Sequence, residues 1–106
     1  MKHDPHIRER LPNRRASTVF EVQALGLRFT VAVSRYSDGR PAEIFITSHR
    51  AGNAAGIMAS DAAICASLAL QFGCPVEVLR KALSRDSAGR ATSPLGLGLD
   101  LSGEEP

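Results

Sequence analysis

The segment from Asn53 to Gly73, NAAGIMASDAAICASLALQFG, constrains this chain more than any other. It is the longest run able to form one helix, and it is apolar almost all the way round. At about 100° per residue, Ile57, Ile64, Cys65, Leu68 and Phe72 fall on one stripe. Ala59, Ala63, Ala66 and Leu70 cover the opposite side, and Ser60, Ser67 and Gln71 line up as a narrow polar seam. Such a helix is expected to be buried over most of its circumference. It lacks an uninterrupted apolar run of membrane-spanning length and carries Asp61 in mid-segment, so no membrane span is read here. The helix is the expected hub of a soluble domain.

A chain of 106 residues makes one small domain. It can bury roughly two thirds of its unfolded surface, enough for one two-layer core. Two cysteines without a disulfide framework suit a reducing compartment. Cys65 and Cys74 stand nine residues apart. Along a helix that is about 13 Å of rise, beyond the roughly 7 Å that a disulfide tolerates between Cα atoms.

The net charge of +2 is small but unevenly placed. Residues 1–15 carry Lys2, Arg8, Arg10, Arg14 and Arg15 against Asp4 and Glu9, whereas residues 91–106 carry Asp100, Glu104 and Glu105 and no base. These read first as two solvated ends. A basic arm for nucleic acid is the alternative, weakened by one Tyr and four Phe, which leave little for base stacking. The first 15 residues are polar and lack the apolar core of a signal peptide, so the expected location is cytoplasmic.

Residues 1–16 show neither helical nor strand period and contain two prolines, which predicts an extended arm docked through Ile7 and Leu11. His3 and His6, with no Cys or acidic cluster beside them, do not make a metal site. From Ser17 the period becomes two. Phe20 and Val22 oppose Val19, Glu21 and Gln23, and Gly26 permits a reversal. Leu27, Phe29, Val31 and Val33 then alternate with Arg28, Thr30, Ala32 and Ser34. Asp38-Gly39 marks a hairpin, and Ala42, Ile44 and Ile46 belong to a third strand after Pro41.

Asn53 is the expected N-cap of the hub helix. Gly56 costs about 1 kcal/mol of helix propensity, which moves the expected start toward Met58 or Ser60. Gly73 is the expected C′ residue. Pro75 opens a second helix to about Ser84, burying Val78, Leu79, Ala82 and Leu83. Leu95, Leu97, Leu99 and Leu101 alternate in the Gly- and Ser-rich remainder and read as a short added strand or a docking tail. The expected fold is α+β: a three-stranded antiparallel β-meander packed against two α-helices, with an extended N-terminal arm and an irregular C-terminal tail. The arm takes residues 1–16, the domain 17–84 and the tail 85–106.

Few residues suggest chemistry. Asp61 lies within the Ile57/Ile64/Leu68 stripe and is expected to be a buried carboxylate satisfied by an arginine or backbone N–H groups, with the strand of Arg28 one source. A ligand or partner contact is the other reading. Gly52-Asn53-Ala54-Ala55-Gly56 sits at a helix start like a phosphate loop but lacks the Lys-Ser/Thr that follows in nucleotide sites. A turn with an N-cap explains it, while His49 and Arg50 keep an anion contact in play. Cys74, just before the second helix, is the candidate reactive thiol, and Cys65 is expected in the core. The candidate contact residues are Asp61, Arg50, His49, Arg14 and Arg15. No catalytic set and no metal site is read.

The order of landmarks carries further information. Leu11-Pro12-x-Arg14 leads into the meander, and Asp38-Gly39-x-Pro41-x-Glu43-x-Phe45 marks the hairpin and third strand. Gly52 follows, then Ser67-Leu68-Ala69-Leu70-Gln71-x-Gly73-x-Pro75-x-Glu77-x-Leu79 across both helices. This resembles the TSCPD domain, the C-terminal module of adenosylcobalamin-dependent (class II) ribonucleotide reductases, also found as short free-standing proteins. The likeness runs from about Leu11 to Leu83, with Ser93-Pro94-Leu95-Gly96 as a weaker extension. It implies a link to deoxyribonucleotide synthesis and a large reductase subunit as partner, with adenosylcobalamin held by that partner rather than by this chain. A second copy of the chain is a further candidate partner, given the apolar hub helix. The family's cysteine-bearing segment has no counterpart here, where the third strand ends Ile46-Thr47-Ser48-His49-Arg50, and no catalytic residue is carried over. The expectation is a non-catalytic accessory domain or subunit. A small nucleic-acid-binding or regulatory protein acting through the basic arm is the alternative.

Overall fold

The computed structural model describes residues 7–50 and 52–103. Strands β1 (Ser17–Ala24), β2 (Leu27–Arg35) and β3 (Pro41–Ser48) form an antiparallel meander in the order β1-β2-β3. Alternation sets the faces, as the sequence predicts. Val22 pairs with Phe29, Val31 with Ile46 and Val33 with Ile44, and these six side chains are buried together on one face. The first reversal uses Leu25 and Gly26, at φ 58° and 74°, the left-handed pair that a two-residue hairpin requires.

Helix α1 (Ala54–Gln71) starts at its cap and ends at its glycine. Asn53 Oδ1 accepts the Gly56 N–H at 2.6 Å. At the other end the Cys74 N–H donates to Ala69 O and the Gly73 N–H to Leu70 O, with Gly73 at φ 99°, a complete Schellman motif. The expected start near Met58 or Ser60 is corrected to Ala54, because Gly56 does more than lower propensity. A Cβ at Gly56 would lie 2.8 Å from Ser48 Cβ. The missing side chain lets the first helical turn settle against the end of β3.

The orientation of α1 is the reverse of the expected one. Ala59, Ala63, Ala66, Ser67, Leu70 and Gln71 face inward. Ile57, Ile64, Leu68 and Phe72 are 60%, 53%, 39% and 37% exposed, and Cys65 is exposed with them rather than in the core. The reason lies in β3, an edge strand whose outer backbone groups lack a strand partner. Ser67 Oγ accepts the Ile44 N–H at 2.8 Å, and Gln71 Nε2 donates to Ala42 O at 2.9 Å. Large side chains on this face would hold the helix away and leave those backbone groups orphaned, each at about 1–3 kcal/mol. Ser67 and Gln71 of the polar seam therefore face the sheet, flanked by alanines small enough to permit the approach, while Ser60 stays exposed.

Helix α2 (Val76–Ala82) is shorter than expected and buries no residue fully; Val78 and Ala82 are exposed, while Val76, Leu79 and Leu83 brush the core. The expected irregular tail is corrected by helix α3 (Pro94–Gly103), which covers β1 and β2. The leucine alternation suggested a strand, but Leu95, Gly98, Leu99 and Ser102 make one helical face and all are buried. A Cβ at Gly98 would lie 2.5 Å from Val31 Cγ1. Glycine lets α3 rest directly on the middle strand. The core is thus closed by α1 along the β3 edge and by α3 over the sheet.

Candidate functional site

Two elements meet at a cleft on the described residues. The C-terminal end of β3 supplies Ile46, Thr47 and Ser48; the start of α1 supplies Asn53, Gly56, Ile57, Ser60 and Asp61; Arg50 and Gly52 lie between. The cleft measures about 360 Å³. Gly52 turns the chain at φ 76° and Asn53 caps the helix, so the Gly-Asn-Ala-Ala-Gly stretch is the turn plus N-cap expected from its sequence. Asn53 Nδ2 is buried with no hydrogen-bond partner among the described residues. The cap needs the amide oxygen toward Gly56, which rules out the flipped amide.

The structure brings Arg50 and Asp61 to one cleft but separates His49 from them. His49 sits on the outer face of the sheet, its Nε2 2.9 Å from Glu21 Oε2 and 2.9 Å from Thr30 Oγ1. Alternation decides this, since neighbouring residues leaving a strand point to opposite sides. Asp61 is corrected most. It is exposed, not buried, and makes no hydrogen bond or ion pair among the described residues, with Arg28 or any other arginine. Because α1 turns its large apolar stripe outward, Asp61 faces outward in the middle of that stripe.

The two arm arginines also part. Arg15 donates to Glu43 Oε1 at 2.9 Å and to Pro12 O at 3.0 Å. Arg14 lines a separate cleft with Pro12, Arg35, Tyr36 and Gly39. His3 and His6 lie outside the described residues. Cys74 is half-buried against α2, its Sγ 3.6 Å from Pro75 O. Among the described residues, no group of three or more His, Cys, Asp or Glu side chains stands close enough to hold a metal ion.

A polar anchor missed by sequence reasoning holds the arm. Ile7 is exposed and Leu11 only partly buried, and neither is among the side chains packed on the core, so the expected apolar docking is corrected. The Glu9 N–H donates to Gln71 O at 2.8 Å, Arg8 Nε donates to Gln71 Oε1, and the Tyr36 hydroxyl donates to Glu9 O. Arg40 stacks on the Tyr36 ring at 4.5 Å and reaches the Glu9 carboxylate. Burial, reinforced by the Glu9 charge, raises the Tyr36 phenol above its ordinary value. With Arg8 and Arg15 bound to the chain's own acceptors, the arm is less free to grip a phosphate backbone.

A second charged cluster fixes α3. The Asp100 carboxylate accepts from Arg85 at 2.8 and 3.0 Å and from Arg80 Nε at 2.9 Å. Those bonds, Arg85 first, hold its carboxyl below the usual carboxylate range.

The domain so defined is a three-stranded meander whose edge strand is capped by a hydrogen-bonding helix. The model of the TSCPD domain family matches residues 6–99, from the arm into α3, and the chain belongs to that family. It is 38% identical over 72 residues to a vitamin B12-dependent ribonucleotide reductase of Rhodopirellula baltica, covering 68% of this chain and 7% of that protein. Similar reductases from Agrobacterium fabrum and Bradyrhizobium diazoefficiens are 40% and 36% identical over 70 residues, in each case 66% of this chain and 6% of theirs. The chain therefore spans only a small fraction of the curated relatives it matches. No solved structure matches it.

Proposed function

We propose that this TSCPD domain is a non-catalytic accessory module or subunit of an adenosylcobalamin-dependent ribonucleotide reductase, serving deoxyribonucleotide synthesis in the cytoplasm through contact with the reductase. The observation that carries this reading is the likeness to a segment making up 6 to 7% of three vitamin B12-dependent reductases. The disposition of the thiols supports it. Cys65 lies on the outward face of α1 and Cys74 beyond its end, too far apart to relay electrons as a pair. The cleft size supports leaving adenosylcobalamin to the partner. Drug-sized ligands occupy roughly 300–1,000 Å³, a corrinoid is far larger, and the cleft at the start of α1 is open and about 360 Å³.

The test is to add the purified chain to the purified adenosylcobalamin-dependent reductase of the same organism. Co-purification, or a saturable change in turnover, is expected. Unchanged turnover and no association at high concentration would refute the reading.

A further inference from the structure

Helix α1 carries its large apolar side chains on the side away from the core. Ile57, Ile64, Leu68 and Phe72 form an exposed stripe about 22 Å long, with Met58 and Cys65 along one border. By length and composition the helix would suffice to cross a membrane, with a third of it buried in the fold. Its inner face cannot leave the sheet, because Ser67 and Gln71 satisfy the backbone of β3. Contiguous apolar surface of this kind marks an interaction site.

Asp61 decides what covers it. The carboxylate stands in the middle of the stripe, exposed and without a hydrogen bond or ion pair among the described residues. Any surface laid over the stripe takes that charge out of water, which is unfavourable unless a cation meets it. A lipid bilayer offers hydrocarbon at that position. A second copy pairing helix on helix brings another Asp61 and no cation from the helix, since α1 has no Lys or Arg and the base in the cleft of Asp61, Arg50, precedes it. A different protein with an apolar groove and one basic side chain satisfies every group on the face, in the manner of a helix seated in a groove.

We infer that the outward stripe of α1 is a docking surface for a heterologous protein whose apolar groove places an Arg or Lys against Asp61. The inference rests on the reductase reading, which makes the body of the reductase that protein. The binding test uses the full chain and the purified adenosylcobalamin-dependent reductase, with Leu68→Arg, Ile64→Asn, Asp61→Asn and Asp61→Lys, each checked for native circular dichroism. The exposed positions predict folded variants. Wild type is expected to bind, Leu68→Arg and Ile64→Asn to weaken binding by about 100-fold, and Asp61→Lys by at least tenfold and more than Asp61→Asn. If wild type binds and these variants bind equally well, the docking surface lies elsewhere and this inference falls while the reductase reading stands. If wild type does not bind, both fall together. Sedimentation of the chain alone as a dimer that Leu68→Arg dissolves would assign the stripe to a second copy and overturn the inference. Wild-type binding to phosphatidylglycerol–phosphatidylcholine vesicles, abolished by Leu68→Arg, would assign it to lipid and overturn it equally.

Discussion

Ser67 Oγ lies 2.8 Å from the Ile44 amide nitrogen and 2.8 Å from the Ala63 carbonyl oxygen, so one hydroxyl joins the edge strand to the helix that covers it. The hydroxyl accepts from the strand and donates back within the helix, or to Ile44 O at 3.2 Å. Ser67→Ala leaves the Ile44 N–H buried and unpaired, at a cost of about 1–3 kcal/mol. Chemical denaturation should show a lowered midpoint with an unchanged slope; an unchanged midpoint would remove Ser67 from the account of how α1 is held.

The reversed orientation of α1 predicts a contrast between neighbours on one helix. Leu70→Ala removes a buried side chain and should destabilise by about 2–5 kcal/mol. Ile64→Ala, on the exposed face, should stay within about 0.5 kcal/mol of wild type. Equal losses in thermal melts would mean that both faces are packed.

Gly98 faces two opposing effects. Alanine gains about 1 kcal/mol of helix propensity over glycine. Its methyl would lie 2.5 Å from Val31 Cγ1 and 3.1 Å from Val31 Cβ, and overpacking of this kind costs about 1–3 kcal/mol. Gly98→Ala is therefore expected to destabilise on balance. Adding Val31→Ala should recover part of the loss, giving a non-additive double-mutant cycle. Strict additivity would show that α3 does not rest on Val31.

Asp100 gives stability a pH dependence of known sign. Its carboxyl is held below the ordinary value of 3.8 by Arg85 and Arg80, so its contribution is present above that value and fades as pH falls through the depressed one. Asp100→Asn should lower stability at pH 7 and flatten the acid limb of the stability–pH curve below about pH 4. A mutant curve parallel to wild type throughout would contradict the assignment.

Leu25 occupies the left-handed region at φ 58° with its side chain exposed. That conformation disfavours a leucine by about 1–2 kcal/mol, whereas asparagine visits it routinely. Leu25→Asn should therefore raise the melting temperature by a few degrees. A lower one would mean that Leu25 makes a contact beyond the turn.

The strand alternation of Phe29, Val31 and Val33, the Asp38-Gly39 hairpin, the Asn53 cap and the Gly73 stop were all legible, because each follows from backbone geometry within a few residues. The helix at Pro94–Gly103 was not, because leucines separated by glycines carry a period of two whatever the backbone does. Only contact with β2 shows that the glycines are packing residues. At the candidate site, Arg50 and Asp61 could be named, but not their common cleft, nor the removal of His49 to the other side of the sheet. The Arg8–Gln71 and Glu9–Tyr36 contacts join residues distant in sequence and had no local signal.

By itself the sequence determined the meander, the C-terminal end of the central helix, and the family, since these depend on local periodicity, capping and the order of short motifs. Which side of that helix faces inward was decided only by the tertiary structure. Hydrophobicity alone favours burying Ile57, Ile64 and Leu68, but the open edge of β3 has backbone groups that Ser67 and Gln71 satisfy. Satisfying that edge turned Ser67 and Gln71 inward and left the apolar stripe, with Asp61 at its centre, facing out.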